Sequence, residues 1–132
     1  MSRRRILIAD DETHILNVLS MKLQNGGYEV LTAVDGAEAL ALTRSGRPEL
    51  VITDYQMPRM SGLELCSLLE ADPATRDIPI ILLTARGFSI AETQTISPNI
   101  RCVMSKPFSP REILARVQAL LCGESVPEGV GV

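Results

Sequence analysis

Three aspartates, a threonine and a lysine stand where short apolar runs stop. Ile6-Leu7-Ile8-Ala9 ends in Asp10-Asp11-Glu12, and Leu50-Val51-Ile52-Thr53 ends in Asp54. Ile80-Ile81-Leu82-Leu83 ends at Thr84, and Cys102-Val103-Met104-Ser105 ends at Lys106-Pro107-Phe108. A carboxylate leaving a buried strand opens into the crevice where parallel α/β sheets bind their ligands. If these strands lie side by side, Asp10, Asp11 and Asp54 converge, and close negative charges are unfavourable without a counterion. Magnesium, a hard cation that bridges carboxylates to phosphate, is the natural remedy. The set suits phosphoryl transfer, in which a protein mostly positions reactants and neutralises charge on the equatorial oxygens. Asp54 is the candidate nucleophile, of the kind that forms an aspartyl phosphate. Lys106 pairs with a phosphoryl oxygen and Thr84 donates a hydroxyl hydrogen bond, with no general base required. A bound cation and Lys106 favour the charged form of Asp54, which is therefore expected to be ionised at neutral pH.

The elements that must position these groups are legible as an alternation. Apolar runs at Ile6–Ala9, Tyr28–Ala33, Leu50–Thr53, Ile78–Leu83 and Cys102–Met104 read as strands, the last short and carrying Cys and Met. Ile15, Leu16, Leu19 and Leu23 share one helical face, and Gly26-Gly27 is a stop signal. Ile113, Leu114, Val117, Leu120 and Leu121 give the clearest helical period. Capping boxes mark helix starts at Asp35/Glu38, Ser61/Glu64, Ser89/Glu92 and Ser109/Glu112, the last with Pro110 at the favoured first position. With the helix after Asp11, five helices interleave five strands. Such βα alternation predicts a doubly wound, three-layer α/β domain with a parallel sheet and right-handed crossovers. The helix over Ile90–Ile96 is short and polar and is expected to be the least stable element.

At 132 residues the chain suits one domain. Residues 1–122 are expected to form it, and the Gly-rich stretch 123–132 reads as a frayed tail or a severed linker. Apolar residues make up 45% and aromatics 3%, so aliphatic side chains must fill the core and ligand stacking on aromatics is not expected. A net charge of −3 argues against a nucleic-acid interface in this chain. No apolar run approaches the length of a membrane helix, and Arg3-Arg4-Arg5 before a short run ending in acids is a poor signal peptide. Cys66, Cys102 and Cys122 are odd in number and widely spaced, which fits a reducing cytoplasm rather than a disulfide or zinc framework. His14 is the only histidine and reads as an exposed helix residue; a metal site of several histidines is excluded.

In order along the chain, Asp10-Asp11-Glu12, Asp54 with Met57-Pro58 and Gly62, Thr84-Ala85 and Lys106-Pro107-Phe108 resemble the receiver domain of two-component response regulators. The likeness covers roughly Arg4 to Leu121. It implies a five-stranded sheet of order 2-1-3-4-5 and phosphoryl transfer to Asp54 from the phosphohistidine of a histidine kinase or a phosphotransfer protein. It implies Mg2+ held by Asp11 and Asp54, by Asp10 through water, and by the backbone carbonyl of Gln56. It also implies a cis bond between Lys106 and Pro107, and partner binding through the fourth helix, fifth strand and fifth helix. Gln56 and Arg86 match positions that lie beside the phosphoryl group in similar receivers and tune its hydrolysis.

One position departs from the pattern. Receivers of this kind usually carry Tyr or Phe three residues before the lysine, and here that residue is Val103. A β-branched aliphatic side chain has no ring to swing. Coupling through an aromatic switch does not carry over, and readout is expected through the Thr84 loop, the Ile90–Ile96 helix or another route. Two other readings exist. A haloacid-dehalogenase-like phosphatase also uses an Asp nucleophile, but it expects a second carboxylate two residues on, where this chain has Gln56. A receiver-like binding module that never phosphorylates would have no need of the intact acids and lysine.

Overall fold

The structure is a computed structural model, and it describes residues 3–85 and 97–122. Its elements are β1 (Arg5–Ala9), α1 (Thr13–Asn25), β2 (Glu29–Ala33), α2 (Gly36–Gly46), β3 (Leu50–Asp54), α3 (Gly62–Ala71), β4 (Ile80–Thr84), β5 (Ile100–Ser105) and α4 (Pro110–Leu121). The strands form one parallel sheet in the order β2-β1-β3-β4-β5, as expected. Four of the five expected helices fall within the described residues. The expected helix over Ile90–Ile96, its Ser89/Glu92 box, Arg86 and the stretch 123–132 lie outside them.

Side chains alternate across a strand, and that alternation divides the core in two. Ile6, Ile8, Ile52, Ile81 and Leu83 face Leu16, Leu19 and Leu23 of α1 and Ile113 and Val117 of α4. Leu7, Val51, Ile80 and Leu82 face Ala39 of α2 and Leu65, Cys66 and Leu69 of α3. β1, β3 and β4 are covered on both sides, which explains why their sequences are apolar throughout rather than alternating. Each fully buried Leu or Ile contributes about 1.5–3 kcal/mol.

In two of the predicted boxes the cap side chain accepts the expected amide. The Glu38 amide donates to Asp35 Oδ1 at 2.8 Å and the Glu64 amide to Ser61 Oγ at 3.1 Å. The Ser109 side chain makes no cap bond, a departure from expectation. Pro110, which follows it, lacks an N–H, so this helix start has one fewer amide to satisfy. α1 ends at Gly26, and Gly27 takes a left-handed turn with φ 99°. β5 is longer than its sequence suggested. Ile100, Cys102 and Met104 point inward while Arg101 and Ser105 are exposed, so an edge strand carries a weaker apolar signal. The three cysteines are free, and burial pushes the Cys66 thiol up to about 12. No helix among the described residues is long and apolar enough to cross a membrane.

Candidate functional site

Because the sheet is parallel, the carboxyl ends of its strands share one edge. The backbone ladder continues past them and fixes the loops that follow. The Asp10 amide donates to Ala33 O at 3.1 Å, the Tyr55 amide to Leu83 O at 2.7 Å and the Lys106 amide to Thr84 O at 2.8 Å. Asp10 Oδ1 accepts from the Glu12 amide at 2.9 Å, which sets the turn into α1. The Lys106–Pro107 peptide is cis.

These constraints bring three aspartates together. Carboxylate oxygens of Asp10, Asp11 and Asp54 lie within 4.8 Å of one another. Asp10 is fully buried and Asp54 nearly so, whereas Asp11 is exposed. Lys106 Nζ is 3.3 Å from Asp54 Oδ1, 3.3 Å from Asp10 Oδ2 and 3.2 Å from Glu12 Oε1. A cavity of about 330 Å³ opens over the group, lined by Asp11, Glu12, Asp54, Gln56, Thr84 and Lys106 among others.

The electrostatics are unbalanced. Among the described residues, the carboxylates of Asp10, Glu12 and Asp54 contact the ammonium of Lys106, and that of Asp11 adjoins Asp10 and Asp54. Burial raises the pKa of Asp54 and the neighbouring Asp10 charge adds to the rise; Lys106 and the Tyr55 amide pull the other way without cancelling it. Asp10 is raised as well, again chiefly by burial, against the opposing Glu12 amide and Lys106. Burial pulls Lys106 down, but Asp10, Asp54 and Glu12 outweigh it and hold the ammonium above its ordinary value. The expectation that Lys106 helps ionise Asp54 is right in sign, yet the lysine alone does not offset desolvation and Asp10.

Gly62 has a sharper role than turn chemistry. Its amide donates to Tyr55 O at 2.7 Å, and a Cβ there would collide with the Asp54 carbonyl oxygen. The start of α3 is thus pressed against the backbone of the aspartate itself. Met57 is half-buried and packs against the second core cluster, and Met60 abuts Gly36 at the start of α2, leaving no room for a Cβ there.

Asp11, Asp54, Gln56, Thr84 and Lys106 therefore meet at one cavity, with Asp10 buried against Asp54 and Lys106. Val103 does not face it: the residue is half-buried on β5 and packs with the α2 and α3 side of the core. Arg86 lies outside the described residues. Two features escaped the sequence reading. Glu12 belongs to the Lys106 cluster, and its place as third acid of the run was the available signal. A second cavity of about 470 Å³ adjoins the first, lined by Ile15, Val18, Phe108 and Pro110 with the exposed His14 at its margin. It had no signal, because its residues come from distant segments.

Comparison with known proteins agrees with this geometry. The family model for the response regulator receiver domain matches residues 6–118. The phosphate regulon transcriptional regulatory protein PhoB of Pseudomonas aeruginosa is 40% identical over 121 residues, covering 92% of this chain and 53% of PhoB. The alkaline phosphatase synthesis transcriptional regulatory protein PhoP of Bacillus subtilis is 37% identical, covering 89% of this chain and 48% of PhoP. The chain thus spans about half the length of the curated relatives it matches. Among solved structures, the chemotaxis response regulator CheY4 of Vibrio cholerae superposes with a TM-score of 0.81 at 31% identity, covering 90% of this chain and 99% of CheY4. The Francisella response regulator 1452 receiver domain gives a TM-score of 0.83 at 27% identity, with coverages of 91% and 98%. Sheet order, acidic cavity and family match converge, deciding against the haloacid-dehalogenase-like reading: the chain belongs to the response regulator receiver domain family.

Proposed function

We propose that Asp54 is the phosphoacceptor of a two-component signalling module, taking the phosphoryl group of a histidine kinase or a phosphotransfer protein. The observation that carries this reading is the meeting of three aspartates within 4.8 Å with an ammonium 3.3 Å from Asp54. In the transfer, an Asp54 carboxylate oxygen forms a bond to phosphorus while the P–N bond of the phosphohistidine breaks, and its electron pair returns to the imidazole. Lys106 pairs with a phosphoryl oxygen and Thr84 donates a hydrogen bond to another. Gln56, at the cavity wall, and Arg86 govern how water reaches the acyl phosphate.

The donor set fits a magnesium ion. Among the described residues the clustered ligands of Asp10, Asp11 and Asp54 are hard oxygens, and these three carboxylates with Glu12 outnumber the one lysine at the site, leaving negative charge that a divalent cation would neutralise. Asp11 and Asp54 would hold it directly, Asp10 through water, with the Gln56 carbonyl completing the protein share. When bound, the cation supplies neutralisation of the carboxylates and phosphoryl oxygens. The module is a signalling domain of the cytoplasm rather than a metabolic enzyme, and the only chemistry it promotes is the phosphorylation and dephosphorylation of its own aspartate. Its phosphorylated form changes affinity for a protein partner that binds through the expected fourth helix, β5 and α4, the last being the fifth helix of the expected alternation.

The test is a titration with beryllofluoride and magnesium followed by amide NMR. Shifts at Asp54, Thr84 and Lys106 that require magnesium and vanish in Asp54→Asn support the reading. No response from the wild-type chain overturns it and favours a receiver-like binding module that never phosphorylates.

A further inference from the structure

Glu12 completes the acidic run after β1, and the transfer just described leaves it without a role. Its carboxylate lies 3.2 Å from Lys106 Nζ. Glu12 and Lys106 also form the wall shared by the cavity at Asp54 and the apolar cavity beside Phe108.

An ammonium has three N–H donors and no acceptor. Carboxylates of Asp10, Asp54 and Glu12 already lie within 3.3 Å of it. A phosphoryl oxygen arriving while Asp54 is still a carboxylate is a fourth anion competing for three hydrogens. One partner must yield. The Asp10 side chain is 0% exposed and has no water to return to, and Asp54, at 9%, is the attacking group. Glu12 is 59% exposed and re-enters water at little cost.

We propose that Glu12 is a positioning residue that latches Lys106 in the resting chain and releases it when the ammonium turns to the phosphoryl group. The proposal rests on the phosphoacceptor reading above. The latch opens before the transition state and stays open in the acyl phosphate, so it stabilises the resting state alone. Its loss therefore speeds phosphorylation and leaves hydrolysis unchanged.

The experiment uses the full chain with magnesium and acetyl phosphate, measuring adduct formation and then hydrolysis after donor removal. Glu12→Gln is expected to form adduct roughly two- to fivefold faster than wild type, with hydrolysis unchanged. Glu12→Asp keeps the charge but withdraws the carboxylate by one methylene, and is expected to be faster than wild type too. In a Lys106→Gln background the gain from Glu12→Gln disappears, because Glu12 acts through that lysine. Three results overturn the latch: no gain in Glu12→Gln, a gain there while Glu12→Asp matches wild type, or the same gain without the lysine. The second of these marks simple repulsion of an anionic donor. Absence of adduct on the wild-type chain overturns the phosphoacceptor reading itself, so the two failures are distinguishable.

Discussion

Asp54 sits among neighbours that disfavour its own charge. Burial and Asp10 raise its pKa above the ordinary 3.8, so the native state binds this proton more readily than the unfolded chain. The stabilisation from that protonation is complete below 3.8 and is lost as pH rises through the raised value. At neutral pH the ionised aspartate therefore weighs against the fold. Lys106 behaves otherwise: its pKa is raised from 10.5, so its pairing supports the fold across neutral pH and fades only in strong alkali. Asp54→Asn is accordingly expected to stabilise the metal-free chain at pH 7 by roughly 1–2 kcal/mol. The gain should shrink toward pH 4, and urea denaturation in chelator at the two pH values measures it. Magnesium should stabilise the wild-type chain by about 2.7 kcal/mol at a hundredfold excess over its Kd. Asp11→Asn and Asp54→Asn should lose most of that increment in thermal melts. The donor types were legible in the sequence. The direction of the Asp54 shift was not, because it depends on burial and on the distance to Asp10, which only the folded chain sets.

At the scale of elements, the site is the common edge of a parallel sheet, held by contacts the strand pattern does not announce. Gly62 shows this best. It reads as a turn residue, yet the structure uses its missing Cβ to seat α3 against the Asp54 carbonyl. Gly62→Ala is expected to destabilise the chain by roughly 1–3 kcal/mol, since a well-packed contact must move. It should also weaken beryllofluoride binding, whereas a core substitution remote from Asp54, such as Leu23→Ala, should lower stability by about 2–5 kcal/mol and leave binding intact. Chemical denaturation and the same NMR titration separate the two effects. The strands β1, β3 and β4 were plain in the sequence because they are covered on both faces. β5 was faint because it is an edge strand with Arg101 and Ser105 turned outward. The cap at Ser109 did not form beside Pro110, which shows how a motif can mark a helix start without supplying its hydrogen bond.

For the whole molecule, the question is how occupancy of one cavity reaches a partner. Val103 packs aliphatically on β5 and offers no ring to rotate. The Thr84 carbonyl accepts the Lys106 amide at 2.8 Å, so the loops after β4 and β5 are tied where the phosphoryl group would bind. Beryllofluoride with magnesium is therefore expected to slow amide exchange in the segment following Thr84, as measured by hydrogen exchange. Equal exchange with and without it would contradict transmission by that route. All of this depends on Asp54 as the acceptor. The most direct measurement is intact-mass and peptide mapping after incubation of the full chain with acetyl phosphate. The account predicts one added PO3 unit on Asp54 in the presence of magnesium, and none in chelator or in Asp54→Asn. An unmodified wild-type chain, or an equal adduct on Asp54→Asn, would contradict it.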